Sequence, residues 1–304
     1  MAAYGNPRRL WQDIYEMLDC VNGADVKFKD NLHRGHRRWK PELTTEQDMF
    51  DIAAATQKTY EFILEQVLEW ARKNGKSKNL VLMGGCALNC SANHLAYKYF
   101  DNVWIMPNPG DAGSAIGSVL AHKKQHIKFN SAYLGYDIKG EYPVEQLTDE
   151  LLSTGIAGVA SGRAEFGPRA FGNRSLLADP RGTDIKRRVN DIKQRQQFRP
   201  FAPVCLEEHA ADLFDGHVGP YMQFTSRVRD PHLYPAITHA DGTARVQTVP
   251  RDGSGIRRLL EAWYAATGCP MLLNTSLNIK GKPMVNDLTD AQEFATVYNI
   301  KVYS

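Results

Sequence analysis

Residues 79–85 read Asn-Leu-Val-Leu-Met-Gly-Gly, so a short apolar run leads directly into two glycines. Such a run is typical of a strand, and the glycines after it indicate a tight turn. The sequence then predicts a helix near Ser91–Tyr99 and a second strand over Val103–Met106. Residues 107–113, Pro-Asn-Pro-Gly-Asp-Ala-Gly, break the chain and open another helix. Strands that alternate with helices and glycine-rich turns predict an α/β fold whose site lies at the strand ends.

A long amphipathic segment precedes this region. Apolar side chains recur at spacings of three and four from Met49 to Ala71, which is the pattern of a helix with one buried face. The sequence therefore predicts one continuous helix, with either Thr44 or Thr45 as its cap and Gly75 at its end.

The pattern loosens over residues 130–142, which are rich in Gly and Tyr and indicate a domain boundary near residue 140. The elements predicted after it are a helix near Val144–Ser153, a strand over Ile156–Ala160, a late helix over Ile256–Thr267 and a buried strand at Met271–Leu273. The sequence therefore divides into two predicted domains, residues 1–140 and residues 141–304.

The composition is that of a globular protein. Of the 304 residues, 43% are apolar and 23% are charged, close to the average of globular domains. No run of about eighteen apolar residues occurs, so a membrane span is not expected, and residues 1–5 lack the pattern of a signal peptide. The five cysteines are odd in number and irregularly spaced, which argues against a disulfide framework and predicts a cytoplasmic location.

Positive charge is concentrated in one block, although the net charge of the chain is only +3. From Arg163 to Arg199, ten Lys or Arg residues stand against four acidic residues, a local surplus larger than that of the whole chain. A cluster of this kind indicates an anionic partner, which is a phosphate, a nucleotide or a nucleic acid.

Two glycine-rich turns carry candidate ligand-binding residues. Residues 84–89, Gly-Gly-Cys-Ala-Leu-Asn, lie between a predicted strand and a predicted helix. Backbone N–H groups in such a turn can approach a phosphate or a sugar; a tight turn without a ligand is the alternative. Asp111 follows Gly110 at the start of the next helix, two residues before Gly113. Its carboxylate is interpreted either as a helix cap or as a ligand of a cation that bridges nucleotide phosphates.

The basic block interleaves arginines with glycine and proline. Residues 166–175 read Phe-Gly-Pro-Arg-Ala-Phe-Gly-Asn-Arg-Ser, and residues 198–203 read Phe-Arg-Pro-Phe-Ala-Pro. Guanidinium groups bind phosphate or carboxylate oxygens in a bidentate way, and a rigid loop reduces the entropy lost on binding. A solvated basic face, the alternative, more often carries Lys on helices. The block is therefore predicted to bind an anion.

Six motifs, in this order, resemble those of the carbamoyltransferase family, which includes nodulation and cephalosporin O-carbamoyltransferases. They occupy residues 84–89, 107–113, 166–175, 198–203, 239–247 and 274–278. The resemblance runs along nearly the whole chain and implies the C-terminal portion of such a protein. The implied fold class is α/β: a partial ribonuclease-H-like lobe, the second lobe of an ASKHA-like transfer domain, over residues 1–140, and a YrdC-like α+β domain over residues 141–304.

The resemblance also implies a two-step activity. The YrdC-like domain makes carbamoyladenylate from carbamoyl phosphate and ATP. The ASKHA-like part then transfers the carbamoyl group to an acceptor hydroxyl, aided by a divalent metal, Fe²⁺ or Mg²⁺. The implied partners are a small-molecule or nucleotide acceptor, a separate polypeptide that supplies the first ASKHA lobe, and a second copy of the chain in a homodimer.

Matching positions give the site residues that the resemblance implies. The catalytic residues, which hold carbamoyl phosphate and the nucleotide phosphates, are Lys193, Arg199, Arg245 and Ser276. The residues that line the nucleotide site are Gly84, Gly85, Asn89, Gly110, Gly113, Arg169 and Arg174. Asp111 is the implied metal ligand.

The early His-x-x-x-His pair that supplies the family's other metal ligands has no counterpart in this sequence. His122 and His126 have that spacing but follow Asp111 in an ordinary helix, and His33 and His36 lie in a polar stretch. All four are predicted to be surface residues. The chain is then the activating part of a split enzyme, a truncated fragment without activity, or a remodelled protein with a new site. Outside the enzyme class, the alternative is a nucleic-acid- or nucleotide-binding module.

Overall fold

The computed structural model of the protein describes residues 1–29, 35 and 39–304, so His33 and His36 lie outside the described residues. The helices of the described part are α1 (Trp11–Tyr15), α2 (Glu46–Asn74), α3 (Asp111–Lys123), α4 (Val144–Thr154), α5 (Ile185–Ile192), α6 (Ala210–Leu213), α7 (Gly255–Thr267) and α8 (Leu288–Tyr298). Its strands are β1 (Leu18–Asn22), β2 (Asp25–Phe28), β3 (Asn79–Leu82), β4 (Asn102–Ile105), β5 (Asp137–Ile138), β6 (Ile156–Ala160), β7 (Gly162–Arg163), β8 (Arg174–Ala178), β9 (Ala202–Leu206), β10 (Phe214–Asp215), β11 (Ser226–Val228), β12 (Thr243–Ala244), β13 (Gln247–Val249), β14 (Met271–Ser276) and β15 (Val302–Tyr303).

The chain divides into two compact units. One comprises residues 1–82 and 92–104, and the other comprises residues 83–91 and 105–304. Residue 140 falls inside the second unit, and the division into domains over residues 1–140 and 141–304 stays a prediction. No helix in the part of the chain that the structure describes is long and apolar enough to cross a membrane.

The first unit is organised around α2, which begins at a capping box. Thr45 Oγ1 accepts a hydrogen bond from the Asp48 backbone N–H at 3.1 Å, and the Asp48 carboxylate accepts one from the Thr45 N–H at 3.0 Å. This reciprocal pair satisfies two backbone donors at the helix start. Thr45 is therefore the cap, and α2 ends at Asn74, directly before Gly75 as predicted.

The apolar face of α2 covers the chain that follows it. Leu64 and Leu68 pack with Leu95 and Phe100 in one buried cluster. Residues 93–98 form a 3₁₀ helix inside the range where the sequence predicts a helix, and short connectors between packed elements often take this tighter form. The predicted strands on either side are confirmed, since β3 and β4 pair as a two-stranded sheet.

The second unit is built on a six-stranded sheet in the order β13-β9-β14-β8-β6-β15. The three inner pairs are antiparallel, and the two outer pairs are parallel. β6, β8 and β9 are buried along their whole length. Leu151 of α4 and Leu259 and Trp263 of α7 belong to the same core. The sequence-predicted mixed α/β class is confirmed.

The register of this sheet brings several loops to one end. Ser276, the last residue of β14, lies opposite Ser175 of β8, and Asn274 lies opposite Ala202, the first residue of β9. Gln247, the first residue of β13, is in register with β9. The loops before β8 and β9, the loop after β14 and the residues before β13 therefore converge at the same end of the sheet.

Candidate anion-binding site

Five basic side chains at this end of the sheet, Arg169, Lys193, Arg195, Arg199 and Arg245, form what we call the cation cluster. They lie close together: after burial, the charge of Arg245 lowers the pKa of Arg169, and the charges of Arg199 and Arg245 lower that of Arg195. None of the five forms an ion pair with a carboxylate of the described residues. Like charges at close range repel, so a bound anion would stabilise this arrangement.

Lys193 directly follows α5 and points at the end of β14. Its side chain is buried, and Nζ donates hydrogen bonds to the carbonyl oxygens of Ser276 at 2.5 Å and Asn278 at 3.3 Å, and to Asn278 Oδ1. Ser276 Oγ donates to the same Oδ1 at 2.7 Å. Burial lowers the pKa of Lys193 to about 7, and the charge of Arg195 contributes in the same direction. The structure thus brings together Lys193 and Ser276, two of the residues implied by the sequence.

Arg195 is a member of the cluster that the sequence-based site residues do not include. Its Nε donates to Asn190 Oδ1 at 2.6 Å, and its guanidinium lies 4.2 Å from the centre of the Phe201 ring. Burial lowers the pKa of Arg195 to about 10, and the charges of Arg199 and Arg245 act in the same direction. The basic block at residues 193–199 signals several cations, but only the fold shows which of them face one another.

Arg199 and Arg245 differ in exposure, but the guanidinium of neither has an ion-pair partner among residues 1–29, 35 and 39–304. Arg199 is exposed, and its guanidinium makes no hydrogen bond with the described residues. Arg245 directly follows β12, two residues before β13, and its Nε is buried without a hydrogen-bond partner among the described residues. Because a buried N–H without an acceptor is costly, Arg245 marks a place that an anionic oxygen can occupy.

Arg169 connects the cluster to the first glycine turn. Its Nη2 lies 3.5 Å from the Leu88 carbonyl oxygen, a long contact. Burial is the main cause that lowers the pKa of Arg169 to about 10, and the charge of Arg245 acts in the same direction. A Cβ at Gly85 would meet no protein atom within 4 Å, and one at Gly110 would meet only the Gly85 Cα, at 3.8 Å. Packing alone therefore does not require these glycines, whereas the close approach of a ligand would.

The same turn is closed by backbone hydrogen bonds. The Gly84 N–H donates to the Pro109 carbonyl at 2.8 Å, and the Asn89 N–H donates to the Cys86 carbonyl at 3.0 Å. Gly84 has a φ of 96°, which favours glycine. The two glycine motifs quoted from the sequence are thus joined in one structure.

Gly113 serves packing. It is buried, and a Cβ there would lie 1.8 Å from the Asn108 carbonyl oxygen. The sequence predicts that Gly113 lines the nucleotide site. The close approach of α3 to the preceding turn is another reason for a glycine at this position.

Asp111 lies in the first turn of α3 and is exposed. Gly110 is the N-cap residue, and no side chain caps this helix, so the interpretation of Asp111 as a cap is wrong. Among the described residues no three His, Cys, Asp or Glu side chains come together as a metal site. These residues do not fit a complete site for the implied metal, and no step is assigned to it.

Arg174 is apart from the cluster. It is fully buried, and its guanidinium donates to the carbonyl oxygens of five residues, at distances from 2.9 to 3.2 Å. These residues are Tyr136, Ser161, Gly162, Asn173 and Asn286. All of its N–H groups are used inside the protein, so this geometry does not support the implied contact between Arg174 and a nucleotide.

Comparison with protein families gives two matches. Residues 11–120 match the family model described as Carbamoyltransferase N-terminus, and residues 148–303 match the one described as Carbamoyltransferase C-terminus. The N-terminal match corrects the expectation, drawn from the motifs, that the chain resembles only the C-terminal portion of such proteins.

Individual relatives agree with this result. The chain is 35% identical to nodulation protein NolO of Bradyrhizobium diazoefficiens, over 96% of this chain and 61% of that protein. It is 38% identical to 3'-hydroxymethylcephem-O-carbamoyltransferase of Amycolatopsis lactamdurans, over 95% of this chain and 59% of that protein. The chain therefore spans about three fifths of the length of these two relatives. A solved structure, HypF of T. kodakarensis, aligns with 53% of the chain and 20% of its own chain, at 20% identity and a TM-score of 0.36.

Proposed function

Because the chain belongs to the carbamoyltransferase family, we propose that it activates carbamoyl phosphate with ATP at the cation cluster. The observation that carries this proposal is the cluster itself: five cations without a carboxylate partner among the described residues, one of which has a buried N–H group without an acceptor. Phosphoryl and acyl-phosphate chemistry needs fixed positive charge where negative charge accumulates.

The proposed product of activation is carbamoyladenylate, the mixed anhydride of carbamic acid and AMP. Its formation breaks the bond between the α- and β-phosphates of ATP and releases pyrophosphate. The phosphate of carbamoyl phosphate leaves as inorganic phosphate, and one water molecule is consumed overall. Two separate phosphate groups therefore have to be neutralised in one site, which is a task for several cations.

The members of the cluster divide this task by position. Lys193, Arg199 and Arg245 would neutralise phosphate oxygens, with Arg195 beside them and Arg169 facing Arg245 from the loop before β8. Ser276 Oγ, hydrogen-bonded next to Lys193 at the end of β14, can offer a further polar contact.

Transfer to a hydroxyl is the second part of the proposal. The first glycine turn, with Gly84, Gly85 and Gly110, would hold the nucleotide portion close to the backbone. The Amycolatopsis relative is named for carbamoyl transfer to a hydroxymethyl group, which supports a hydroxyl acceptor.

A separate polypeptide is proposed to complete the transfer site. Within α3, Gly113 is the only buried residue, although the helix contains apolar side chains such as Val119, which is 54% exposed. An apolar helix that is exposed in this way is typical of a surface that another protein element covers.

The test of the proposed activation is pyrophosphate release from ATP in the presence and absence of carbamoyl phosphate. The wild-type chain should release pyrophosphate only with carbamoyl phosphate, and Lys193→Ala or Arg199→Ala should reduce the rate by on the order of a hundredfold. Arg187→Ala is the matched control, because Arg187 belongs to the same basic block but is exposed and has only a 3.7 Å ion pair with Asp191. Absence of ATP consumption, with or without a partner polypeptide, would overturn the proposal.

A further inference from the structure

We propose that Glu165 is a positioning residue that fixes Arg169 in the cation cluster by holding the backbone of residues 171–174, which follow Arg169 in the same loop. The proposal rests on the proposed function, since it concerns the same site. Glu165 does not belong to the cation cluster and contributes no side chain to it; it acts through the loop that carries Arg169.

The contacts of Glu165 are concentrated on one oxygen. Its side chain is buried, and Oε1 accepts hydrogen bonds from the backbone N–H groups of Phe171 at 2.7 Å, Asn173 at 2.8 Å and Arg174 at 3.3 Å. Burial raises the pKa of Glu165, and the three backbone donors on Oε1 act against that shift. Oε2 is buried without a hydrogen-bond partner among the described residues. Through Oε1 the side chain fills, from inside the protein, a nest of backbone donors.

The opposite side of the loop backbone is held as firmly. Asn274 Nδ2 donates to the Ala170 carbonyl, Gln247 Nε2 and Tyr133 Oη donate to the Phe171 carbonyl, and Tyr142 Oη donates to the Gly172 carbonyl, at distances from 2.7 to 3.0 Å. Gly172 has a φ of 121°, and a Cβ there would lie 2.7 Å from Ile256 Cβ. Every residue from 170 to 174 thus has a backbone group fixed by a side chain or a close approach.

The rigid loop counteracts electrostatic repulsion. Arg169 and Arg245 are both cationic, so in the absence of an anion their repulsion favours movement of the Arg169 loop away from Arg245. In a flexible loop Arg169 would leave the cluster, and part of the binding energy of the substrate would be needed to order the loop again. A loop tied to Glu165 keeps the charge in place, so the binding energy of the anion is not spent on ordering.

The test is a double-mutant cycle between Glu165 and Arg169. Glu165→Ala should raise the KM for carbamoyl phosphate on the order of tenfold, the loss of about one well-placed charged contact. Glu165→Gln, which keeps an acceptor of the same reach, should recover most of this loss. In an Arg169→Ala background Glu165→Ala should have little further effect, because residues that act through one contact are not additive.

Glu150→Ala is the matched control. Glu150 is a buried acid of the same unit that accepts hydrogen bonds from Lys301 and Tyr303, and its effects should add to those of Arg169→Ala. If Glu165→Ala does not fold, Glu165→Asp takes its place in the cycle, because its shorter side chain does not reach the three N–H groups, and the same coupling is expected at a smaller size.

The affinity for inorganic phosphate, measured by calorimetry on the same variants, separates the two proposals. Additive effects of Glu165 and Arg169 would overturn the positioning role, even in an active enzyme. Coupled phosphate affinities in a chain that never consumes ATP would overturn the proposed function and support the positioning role.

Discussion

Lys193 shows how a single side chain can be set for binding. It is withdrawn from water and placed near Arg195, and both conditions lower its pKa, to about 7. Its ammonium group is nevertheless surrounded by oxygen acceptors from Ser276 and Asn278. The charge of Lys193 therefore changes near neutral pH, whereas most lysines keep theirs until far more alkaline pH.

The pH dependence of anion binding should reflect this balance. The protonated form binds an anion, so kcat/KM for carbamoyl phosphate should be steady below the pKa of about 7. Above that pH it should fall, approaching about tenfold for each further pH unit. The measurement is a pH–rate profile of the wild type and of Lys193→Arg, whose guanidinium stays protonated. Profiles of the same shape for both proteins would contradict the assigned role.

Arg174 and Arg199 should separate stability from activity. Arg174→Met removes a fully buried guanidinium that donates to the carbonyl groups of five residues, so the free energy of unfolding should fall by at least about 3 kcal/mol. Arg199→Ala removes an exposed side chain and should change the free energy of unfolding by less than about 0.5 kcal/mol. Urea denaturation of the two variants measures both values. Equal stabilities would show that the Arg174 contacts contribute little.

At the scale of elements, the end of the six-stranded sheet determines where the chemistry can occur. β8, β9 and β13 begin there and β14 ends there, so loops far apart in sequence become neighbours. The sequence indicates the strands β6 and β14 correctly from their apolar runs. It does not indicate their pairing, because pairing depends on contacts with strands elsewhere in the chain.

Two glycines of α3 should respond in opposite ways to the same substitution. Gly113→Ala places a Cβ against the Asn108 carbonyl and should destabilise the protein by about 1–3 kcal/mol. Gly117→Ala places a Cβ where no atom lies within 4 Å and should stabilise it by up to about 1 kcal/mol, since alanine favours the helix. Thermal unfolding of both variants distinguishes them. An unchanged stability of Gly113→Ala would show that α3 can move away from the Asn108 carbonyl at little cost in free energy.

At the scale of the whole molecule, the distribution of charge distinguishes a small anion from a nucleic acid. The cations of the cluster lie on short loops held by internal hydrogen bonds, and Lys193 is only 8% exposed. A nucleic-acid surface would instead present a long exposed row of positive charge along the phosphate backbone. The arrangement therefore favours a small anionic ligand.

Competition binding tests this conclusion. Any binding of single-stranded RNA by the chain should be displaced by ATP together with carbamoyl phosphate, because both would use the same cations. RNA binding that weakens steeply with salt and is unaffected by these ligands would favour the nucleic-acid-binding alternative. Fluorescence anisotropy of a labelled RNA at several salt concentrations gives the answer.

The sequence by itself determined the local structure and the family. The cap at Thr44 or Thr45, the apolar runs and the arginine, glycine and proline motifs are short-range signals, which depend on neighbouring residues in the chain. The family resemblance implied Lys193, Arg245 and Ser276 as candidates, and the structure places them at one end of the sheet.

Only the tertiary structure decided what each of these residues does. Arg169 and Arg174 lie in one motif, yet the first faces Arg245 and the second is enclosed by carbonyl groups. Arg195 packs on the Phe201 ring, and Glu165 accepts hydrogen bonds from the 166–174 loop. Neither contact could be predicted from the sequence. The sequence shows which side chains can carry a charge. Their burial and their partners depend on how distant segments pack together, and local sequence patterns do not determine that packing.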